Sequence, residues 1–318
     1  MQRVDVERAA ELLRAGGLVA FPTETVYGLG ADATDPAAVA RIFEAKGRPR
    51  SHPLIVHLAS SAQLSDWARV VPPAAQRLAD MLWPGPLTLV LERAPHVIDA
   101  VTGGLSTVAL RVPAHPVALE LLARVGRGVA APSANRFGSV SPTRAEHVEE
   151  SLGDRIDALV DGGPCSVGVE STIVDVSTGV PRILRAGGVP RELVEQILGA
   201  PVPLAADGTV AAPGTLAAHY APRARVLAAQ RDGLGEAIAR ARAIGGSIAV
   251  VCTEDPAAPG VTWIPAPADD AARARSLYQT LRELDAHGHD VAVIELPDAR
   301  GLGLAIADRI RRAAAASG

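Results

Sequence analysis

Short apolar runs alternate with helical patterns over the first two hundred residues of the chain. Residues 6–13 carry apolar side chains at near-helical spacing and stop at a Gly-Gly pair; helices are likewise predicted over 36–45, 73–82 and 116–125. The apolar runs between the helices predict buried strands at LVAFP, PLIVHL, LTLVLE, TVALRVP, GVAAPS, ALVDGG, STIVDV and RILRAG. Strands alternating with short helices indicate an α/β domain over residues 1–199.

This pattern stops at residue 200 and resumes at residue 223. Residues 200–222 contain four prolines, two glycines and no periodicity, which is typical of a linker. Residues 223–318 then alternate ARVLAA, a helix over 233–243, SIAVVC, a helix over 268–287 and VAVIELP. The second series predicts a smaller, Rossmann-like α/β C-terminal domain. Its Ala-rich tail from residue 313 is expected to be frayed.

Composition and charge argue against three classes of protein: nucleic-acid-binding, disulfide- or zinc-stabilised, and membrane-spanning. A net charge of -4 and a pI near 6.1 give no overall attraction to nucleic acid. Two distant cysteines exclude a disulfide framework and a zinc motif, which fits a cytoplasmic protein. No apolar run approaches the roughly 18 residues that a membrane span needs, and the N-terminus lacks the apolar core of a signal peptide.

The 31 basic residues include a single lysine, Lys46, in the stretch FEAKGRPRSHPLIVH. Pro49 favours extended backbone at Arg48, and side chains two residues apart in an extended segment point the same way. Lys46 and Arg48 are therefore expected to bind one anion together. The lysine ammonium is a point charge, and the arginine guanidinium is planar and can bond two oxygens at once. Together they suit a polyphosphate ligand. A solvated basic turn is the alternative explanation.

Asparagine is equally rare, because Asn135 in VAAPSANRFGSVSPT is the only one in the chain. Small residues in this loop let backbone N–H groups approach a ligand, and Ser133, Asn135 and Ser141 add side-chain hydrogen-bonding groups. A turn stabilised by its own side chains explains the same residues. In FPTETVYGLGADA, a strand is predicted to run into a Thr-Glu-Thr turn and a Gly-Leu-Gly. Neither GxGxxG nor GxxxxGK[ST] occurs.

Further polar residues lie at or near the ends of predicted strands. His57 shares a strand face with Ile55, where a hydrogen-bonded core histidine is the simplest interpretation. His52 and His57 lack metal-ligand spacing, so no metal site built from protein side chains is predicted. Ser171 and Arg185 add a hydroxyl and a cation, and no nucleophile elbow or carboxylate pair is evident. These residues favour catalysis by positioning and charge stabilisation, as in nucleotidyl transfer.

Seven segments between residues 21 and 188 resemble the Sua5/YciO/YrdC family in order and spacing. They are FPTETVYGLGADA, KGRPRSHPLIVH, WPGPLTLVL, VALRVPAHP, APSANRFGSVSPT, GVESTIVD and ILRAGG. PGTLAAHYAP and the segment LRELDAHGHDVAVIELPDARGLGLAIADRIRRAA resemble the linker and the extra domain of the long, Sua5-type members. The resemblance implies an α/β fold with a YrdC-like twisted open mixed sheet, followed by the smaller Sua5 domain.

The resemblance also implies roles for particular residues. A threonine pocket is lined by Thr25, His57, Arg111, Ala131 and Ser171. ATP is contacted by Lys46, Arg48, His52, Thr107, Ser133, Asn135, Ser141, Arg185 and Tyr220, with Lys46 and Arg48 in catalytic roles. Two positions depart from the family pattern: His52 replaces a common asparagine, and Thr215 replaces the usual methionine of the linker.

The family's reaction joins L-threonine, bicarbonate and ATP, with Mg²⁺ as cofactor, into threonylcarbamoyl-AMP, pyrophosphate and water. A separate tRNA threonylcarbamoyl-transferase complex takes the product for t6A at position 37, so at most weak tRNA binding and no membrane contact are expected. The linker that carries Tyr220 is expected to close over the nucleotide as a lid. The alternatives are an RNA-binding module without synthase activity and a carbamoyl-transfer enzyme.

Overall fold

The computed structural model describes residues 1–205 and 219–316. They divide into two compact units, one of residues 1–137 and 141–205 and the other of residues 138–140 and 219–316. Thr215 and most of the predicted linker lie outside the described residues. Within the described ranges, no helix is both long enough and apolar enough to cross a membrane.

Ten strands of the described chain form one mixed sheet in the first unit. In chain order they are β1 (Gln2–Arg3), β2 (Val19–Phe21), β3 (Gly28–Asp32), β4 (Ile55–His57), β5 (Leu87–Glu92), β6 (Thr107–Arg111), β7 (Val129–Ala130), β8 (Ala158–Leu159), β9 (Thr172–Asp175) and β10 (Arg182–Arg185). Their order across the sheet is β1-β8-β2-β3-β7-β4-β6-β5-β9-β10. At its centre β4 runs parallel to β6 and antiparallel to β7. The predicted mixed α/β sheet is confirmed.

Several helices of the first unit begin where the sequence supplies a cap or a proline. They are α1 (Val6–Arg14), α2 (Pro36–Lys46), α3 (Leu64–Trp67), α4 (Pro73–Leu82), α5 (Asp99–Thr102), α6 (Pro116–Val125), α7 (Ala145–Leu152) and α8 (Arg191–Leu198). The Asp5 carboxylate accepts from the third residue of α1, and the Asp35 carboxylate accepts from the second residue of α2, so each satisfies an N–H that the helix leaves unpaired.

Alternate residues of the central strands face two different layers. Val56 belongs to the main core, together with Ile42 of α2 and Leu78 of α4. Ile55 belongs instead to a small apolar cluster with Val90, Ala109, Ile173 and Leu184. The second face also carries β2 and β7 residues that pack against α1 and α6. His57 lies on this second face, because its register partner in β7, Val129, belongs to that layer.

The second unit contains a four-stranded parallel sheet of order β11-β14-β12-β13. Its elements are β11 (Arg225–Ala229), α9 (Leu234–Ile244), β12 (Ile248–Cys252), β13 (Thr262–Pro265), α10 (Asp270–Ala286), β14 (Val291–Glu295) and α11 (Gly301–Ala315). Residues of α9 pack on one face of the sheet, and residues of α10 and α11 contact the other. The predicted smaller α/β unit is confirmed.

Several elements differ from the sequence prediction. The GLGAD segment, for which no strand was predicted, forms strand β3. A Cβ at Gly30 would lie 2.9 Å from the Phe21 ring, so glycine permits the close pairing of β3 with β2. Strand β13 and helices α7 and α8 were not predicted. The prediction of a frayed C-terminal tail is wrong, because α11 continues to Ala315 and Ala313 is fully buried.

The start of the predicted linker is hydrogen-bonded to the first unit. The Ile183 N–H donates to the Pro203 carbonyl oxygen (2.9 Å), and the Ala205 N–H donates to the Ile183 carbonyl oxygen (2.8 Å). Val202 is buried in the main core. Residues 202–205 therefore run alongside β10, although their composition is typical of a linker.

Candidate active site

The candidate site begins with two register partners at the carboxyl ends of parallel strands. His57 ends β4, Arg111 ends β6, and the two residues are paired in the sheet. Both side chains are at least 96% buried. Because residues paired across neighbouring strands project from the same face, an imidazole and a guanidinium stand side by side next to the apolar cluster around Ile55.

The imidazole of His57 is neutral. Burial, and to a smaller extent the positive charge of Arg111, lower its pKa to about 3. Its ring meets Phe21 edge to face, with centroids 6.1 Å apart. The Nδ1 atom is buried and has no hydrogen-bond partner among the described residues. The predicted core histidine therefore keeps an unused polar atom, which a purely structural role does not explain.

Glu24, which the sequence analysis did not single out, is the ion-pair partner of Arg111. Its Oε1 atom lies 2.7 Å from Nη2 of Arg111, and both side chains are almost fully buried. The Nε atom of Arg111 also points toward the Gly85 carbonyl oxygen, at 3.4 Å. The sequence did contain one indication of a role for Glu24, because it is an acidic residue between two threonines in an otherwise apolar stretch.

Thr25 and Ala131, both predicted to contact threonine, are buried. The Thr25 hydroxyl lies 2.8 Å from the Thr23 hydroxyl, which in turn donates to the Val26 carbonyl oxygen. These bonds fix the Thr-Glu-Thr turn that carries Glu24. Ala131 directly follows β7, and its N–H donates to the Ile55 carbonyl oxygen at 2.9 Å.

Ser171 and Arg185 are brought together at the edge of the sheet that β9 and β10 form. The Ser171 hydroxyl lies 2.7 Å from the Thr88 hydroxyl. Arg185 donates to the Ser171 carbonyl oxygen from Nε (3.2 Å) and Nη2 (2.8 Å). A residue predicted to bind threonine and one predicted to bind ATP are thus directly bonded, and both roles stay predictions.

Lys46 is the last residue of α2, so the prediction of an extended backbone there is wrong. Gly47 ends the helix in the left-handed conformation (φ 64°), a role that glycine fills at little cost. The Lys46 side chain is 3% exposed, and its Nζ donates to the carbonyl oxygens of Ser133 (2.6 Å) and Asn135. Burial and the charge of Arg48 hold its pKa well below its usual range.

A second group of side chains surrounds Phe137 and contains Arg48, which is its cation, and His52. The Arg48 guanidinium carbon lies 5.7 Å from the centre of the Phe137 ring, and its Nη2 donates to the Pro53 carbonyl oxygen. The His52 ring lies edge to face with Phe137 at 5.5 Å. Burial and Arg48 lower the pKa of His52. An arginine on an aromatic face beside a neutral imidazole is a suitable surface for a flat, anionic ligand.

The loop after β7 supplies the remaining polar groups. Asn135 is buried, and its Nδ2 donates to the Arg136 carbonyl oxygen at 2.8 Å. Ser133 pairs with Gly28 of β3 in an isolated bridge. The Ser141 hydroxyl donates to Oε1 of Glu170 at 2.7 Å, with both side chains buried. The bond from Asn135 to the adjacent Arg136 is of the local kind expected for a self-bonded turn, and the ligand-binding role of the loop stays a prediction.

Thr107 and Tyr220 are the two remaining predicted ATP contacts. Thr107 begins β6, four residues before Arg111, which places it about 13 Å away along the strand. Tyr220 belongs to the second unit, where its ring stacks on Tyr278 (5.7 Å) and lies under the Arg309 guanidinium (5.1 Å). The roles of both residues stay predictions.

Metal chemistry has no obvious side-chain donors in this part of the protein. No group of three or more His, Cys, Asp or Glu residues within the described ranges could hold a metal ion. Two buried acidic residues of this unit already have partners. Glu24 is paired with Arg111, and Glu170 accepts a hydrogen bond from Ser141.

Comparisons with known proteins cover nearly the whole chain. The Sua5/YciO/YrdC family model, described as telomere recombination, matches residues 11–187. A second model, described as the C-terminal domain of threonylcarbamoyl-AMP synthase, matches residues 189–315. The chain is 44% identical to the threonylcarbamoyl-AMP synthase of Pyrococcus abyssi, over 96% of this chain and 92% of that protein.

Two further relatives agree with this result. The Bacillus subtilis protein of the same name is 41% identical over 97% of this chain and 92% of its own length. A crystal structure of Pyrococcus abyssi Sua5 complexed with L-threonine matches with a TM-score of 0.90 and 43% identity, covering 98% of this chain and 94% of that one. Sequence and fold therefore lead to the same group of proteins.

Proposed function

Since the chain belongs to the Sua5/YciO/YrdC family, we propose that it converts L-threonine, bicarbonate and ATP into threonylcarbamoyl-AMP, pyrophosphate and water. The activity is that of a nucleotidyltransferase acting in the first stage of tRNA t6A modification. Full-length similarity at 41–44% identity supports this reaction over the nucleic-acid-binding and carbamoyl-transfer alternatives.

The pairing of His57 with Arg111 carries the proposal. A buried guanidinium can bond both oxygens of the threonine carboxylate. The neutral imidazole beside it has a buried Nδ1 atom that is unused among the described residues and is able to bond a hydroxyl group. Thr25, Ala131 and Ser171 complete the proposed threonine pocket with a second hydroxyl, a small side chain and a third hydroxyl.

Lys46, Arg48 and Arg185 are the proposed partners of the ATP phosphates. The Lys46 ammonium has three N–H donors, and two of them bond the carbonyl oxygens of Ser133 and Asn135. The third is available to a phosphate oxygen. A bound triphosphate would also favour the charged form of Lys46, which burial disfavours. His52, Thr107, Ser133, Asn135, Ser141 and Tyr220 are proposed as further ATP contacts.

The proposed reaction has two chemical steps. The neutral threonine amine and bicarbonate combine to a carbamate and water. A carbamate oxygen then attacks the α-phosphorus of ATP, and pyrophosphate leaves. Lys46 and Arg48 offset the negative charge that accumulates on the phosphate oxygens. Mg²⁺ enters as a complex with ATP, neutralising charge on the leaving pyrophosphate, and we propose no protein carboxylate as its ligand.

One assay tests the reaction. The protein is incubated with ATP, threonine and ¹³C-bicarbonate, and the adenylate is identified by mass. We expect a labelled threonylcarbamoyl-AMP whose amount depends on threonine and is much smaller with serine. ATP consumption without a labelled adenylate would contradict the proposal.

We further propose that the product passes to a tRNA threonylcarbamoyl-transferase complex and that this chain binds tRNA weakly at most. The net charge of -4 supports weak binding. Titration of tRNA at several salt concentrations checks this point, because an RNA-binding module would bind tightly with a steep salt dependence. The linker carrying Tyr220 is proposed to close over bound ATP.

A further inference from the structure

Glu24 is a buried carboxylate whose bonding is incomplete. Its side chain is 8% exposed, and neither Oε1 nor Oε2 accepts a hydrogen bond from any described residue. Oε1 lies 2.7 Å from Nη2 of Arg111, but that Nη2 atom also makes no aligned hydrogen bond. The contact with Arg111 is therefore a close ion pair, and Glu24 lacks the further hydrogen bonds that usually accompany a buried carboxylate.

The neighbouring hydroxyl groups do not bond this carboxylate. The Thr23 and Thr25 hydroxyls bond each other, and Thr23 also donates to the Val26 carbonyl oxygen. The Val167 N–H donates to the main-chain oxygen of Glu24 rather than to its side chain. A carboxylate removed from water without donors is costly, so a structural role for Glu24 explains its burial poorly.

Two titratable groups near Glu24 carry no positive charge at neutral pH. The charge of Glu24 acts on both His115 and Cys165. Burial lowers the pKa of His115, whose Nδ1 accepts the Val117 N–H at the start of α6. Burial raises the pKa of the Cys165 thiol to about 12. Of the groups named here, Arg111 is the one that pairs a positive charge with Glu24.

One buried positive charge and one buried negative charge match a zwitterion. We propose that Glu24 binds the α-ammonium group of the incoming amino acid substrate while Arg111 binds its carboxylate, and that this ammonium releases a proton to water before the neutral amine combines with bicarbonate. The three N–H donors of an ammonium would supply the hydrogen bonds that Glu24 lacks. This inference rests on the proposed function, since it assigns a new contact within the proposed threonine pocket.

Binding of two ligands that differ only in the amine tests the assignment. L-Threonine and 3-hydroxybutyrate, which lacks the amino group, are titrated into the full chain and into Glu24→Gln by calorimetry. We expect threonine affinity to fall about 10- to 100-fold in Glu24→Gln, as for loss of a charge-assisted bond, with 3-hydroxybutyrate affinity unchanged or higher. Glu295→Gln, which removes the buried carboxylate that pairs with the exposed Arg231 in the second unit, should bind both ligands normally.

Each contrary result identifies a different failure. An equal loss for both ligands would mean that Glu24 acts only by positioning Arg111, and the ammonium assignment would be wrong. Failure of the unmodified chain to bind threonine would overturn the proposed function instead. If circular dichroism shows that Glu24→Gln is unfolded, Glu24→Asp decides the question. Its displaced charge should weaken threonine and spare 3-hydroxybutyrate, and an equal loss would again overturn the assignment.

Discussion

The Nζ atom of Lys46 donates to the main-chain carbonyl oxygen of Asn135, so the only lysine of the chain holds its only asparagine. A second bond joins Nζ to the Ser133 carbonyl oxygen. The end of α2 is thereby fixed to the loop after β7. Lys46 consequently has two roles in the proposed site, because it orders this loop and presents a positive charge beside it.

Lys46→Ala should remove both roles. We expect product formation to fall at least about 100-fold, as for loss of a group that stabilises developing charge. The free energy of unfolding should fall by about 1–3 kcal/mol, because two carbonyl oxygens lose their donor. Pyrophosphate release and urea unfolding measure the two effects. Arg50→Ala, which removes an exposed basic residue four positions away, is the control. Near-normal pyrophosphate release from a folded Lys46→Ala protein would exclude Lys46 from the chemistry.

The alternation of strands and helices was predictable because it depends on local periodicity. The bounds of α4, β5 and α6 agree with the sequence prediction. The backbone at Lys46 was not predictable in the same way. Pro49 favours extended backbone at Arg48, but α2 continues through Lys46 and is capped by Gly47. The side chain of Lys46 is therefore buried. Strand β3 was missed because five consecutive buried residues show no alternation.

The His57 imidazole should make stability depend on pH. Its pKa of about 3 in the folded state lies below the ordinary value of 6.5, so the unfolded state binds an additional proton between these values. Stability is therefore complete above pH 6.5 and declines as the pH falls toward 3. Between pH 7 and pH 5 this residue should account for a loss of about 2 kcal/mol.

His57→Gln measures that contribution directly, because glutamine keeps a polar side chain and does not titrate. Urea unfolding at pH 7 and pH 5 should show a smaller loss in the variant than in the unmodified chain, by about 2 kcal/mol. An identical loss in both proteins would show that other groups cause the pH dependence. At pH 7 the variant should also bind threonine more weakly.

The Arg111→Lys variant tests whether threonine binding needs the planar guanidinium group or only a positive charge. Lysine keeps the positive charge near Glu24 but cannot bond both carboxylate oxygens in one plane. We expect the KM for threonine to rise about 10- to 100-fold, with little change in the KM for ATP. Arg182→Lys, at the Arg182–Asp175 pair of the same sheet, should leave both constants unchanged. A parallel rise in both KM values would place Arg111 outside the threonine pocket.

Contacts between distant segments explain why parts of the site escaped the sequence prediction. Glu24 and Arg111 are 87 positions apart, and only the folded sheet brings them to 2.7 Å. No local pattern marks such a pair, whereas rarity marked Lys46 and Asn135. The bonds from Arg185 to the Ser171 carbonyl oxygen likewise depend on how β9 and β10 pair.

Gly187, in the RILRAGG motif, should be intolerant of any side chain. A Cβ there would lie 2.3 Å from the Glu170 carbonyl oxygen and 2.4 Å from backbone atoms of Ser171 and Thr172. Because all three contacts are backbone, a rotamer change cannot relieve them. We expect Gly187→Ala to lower the free energy of unfolding by about 1–3 kcal/mol and to weaken threonine binding by shifting Ser171.

Gly179→Ala is the matched control for that change. A Cβ at Gly179 would meet nothing within 4 Å, so its effect on stability should stay within about 0.5 kcal/mol. Urea unfolding and threonine titration of both variants make the comparison. If Gly187→Ala were as stable as Gly179→Ala and bound threonine equally well, the strand that carries Ser171 would have to be more adaptable than its packing indicates. Ser171 would then lose its place as a fixed wall of the pocket.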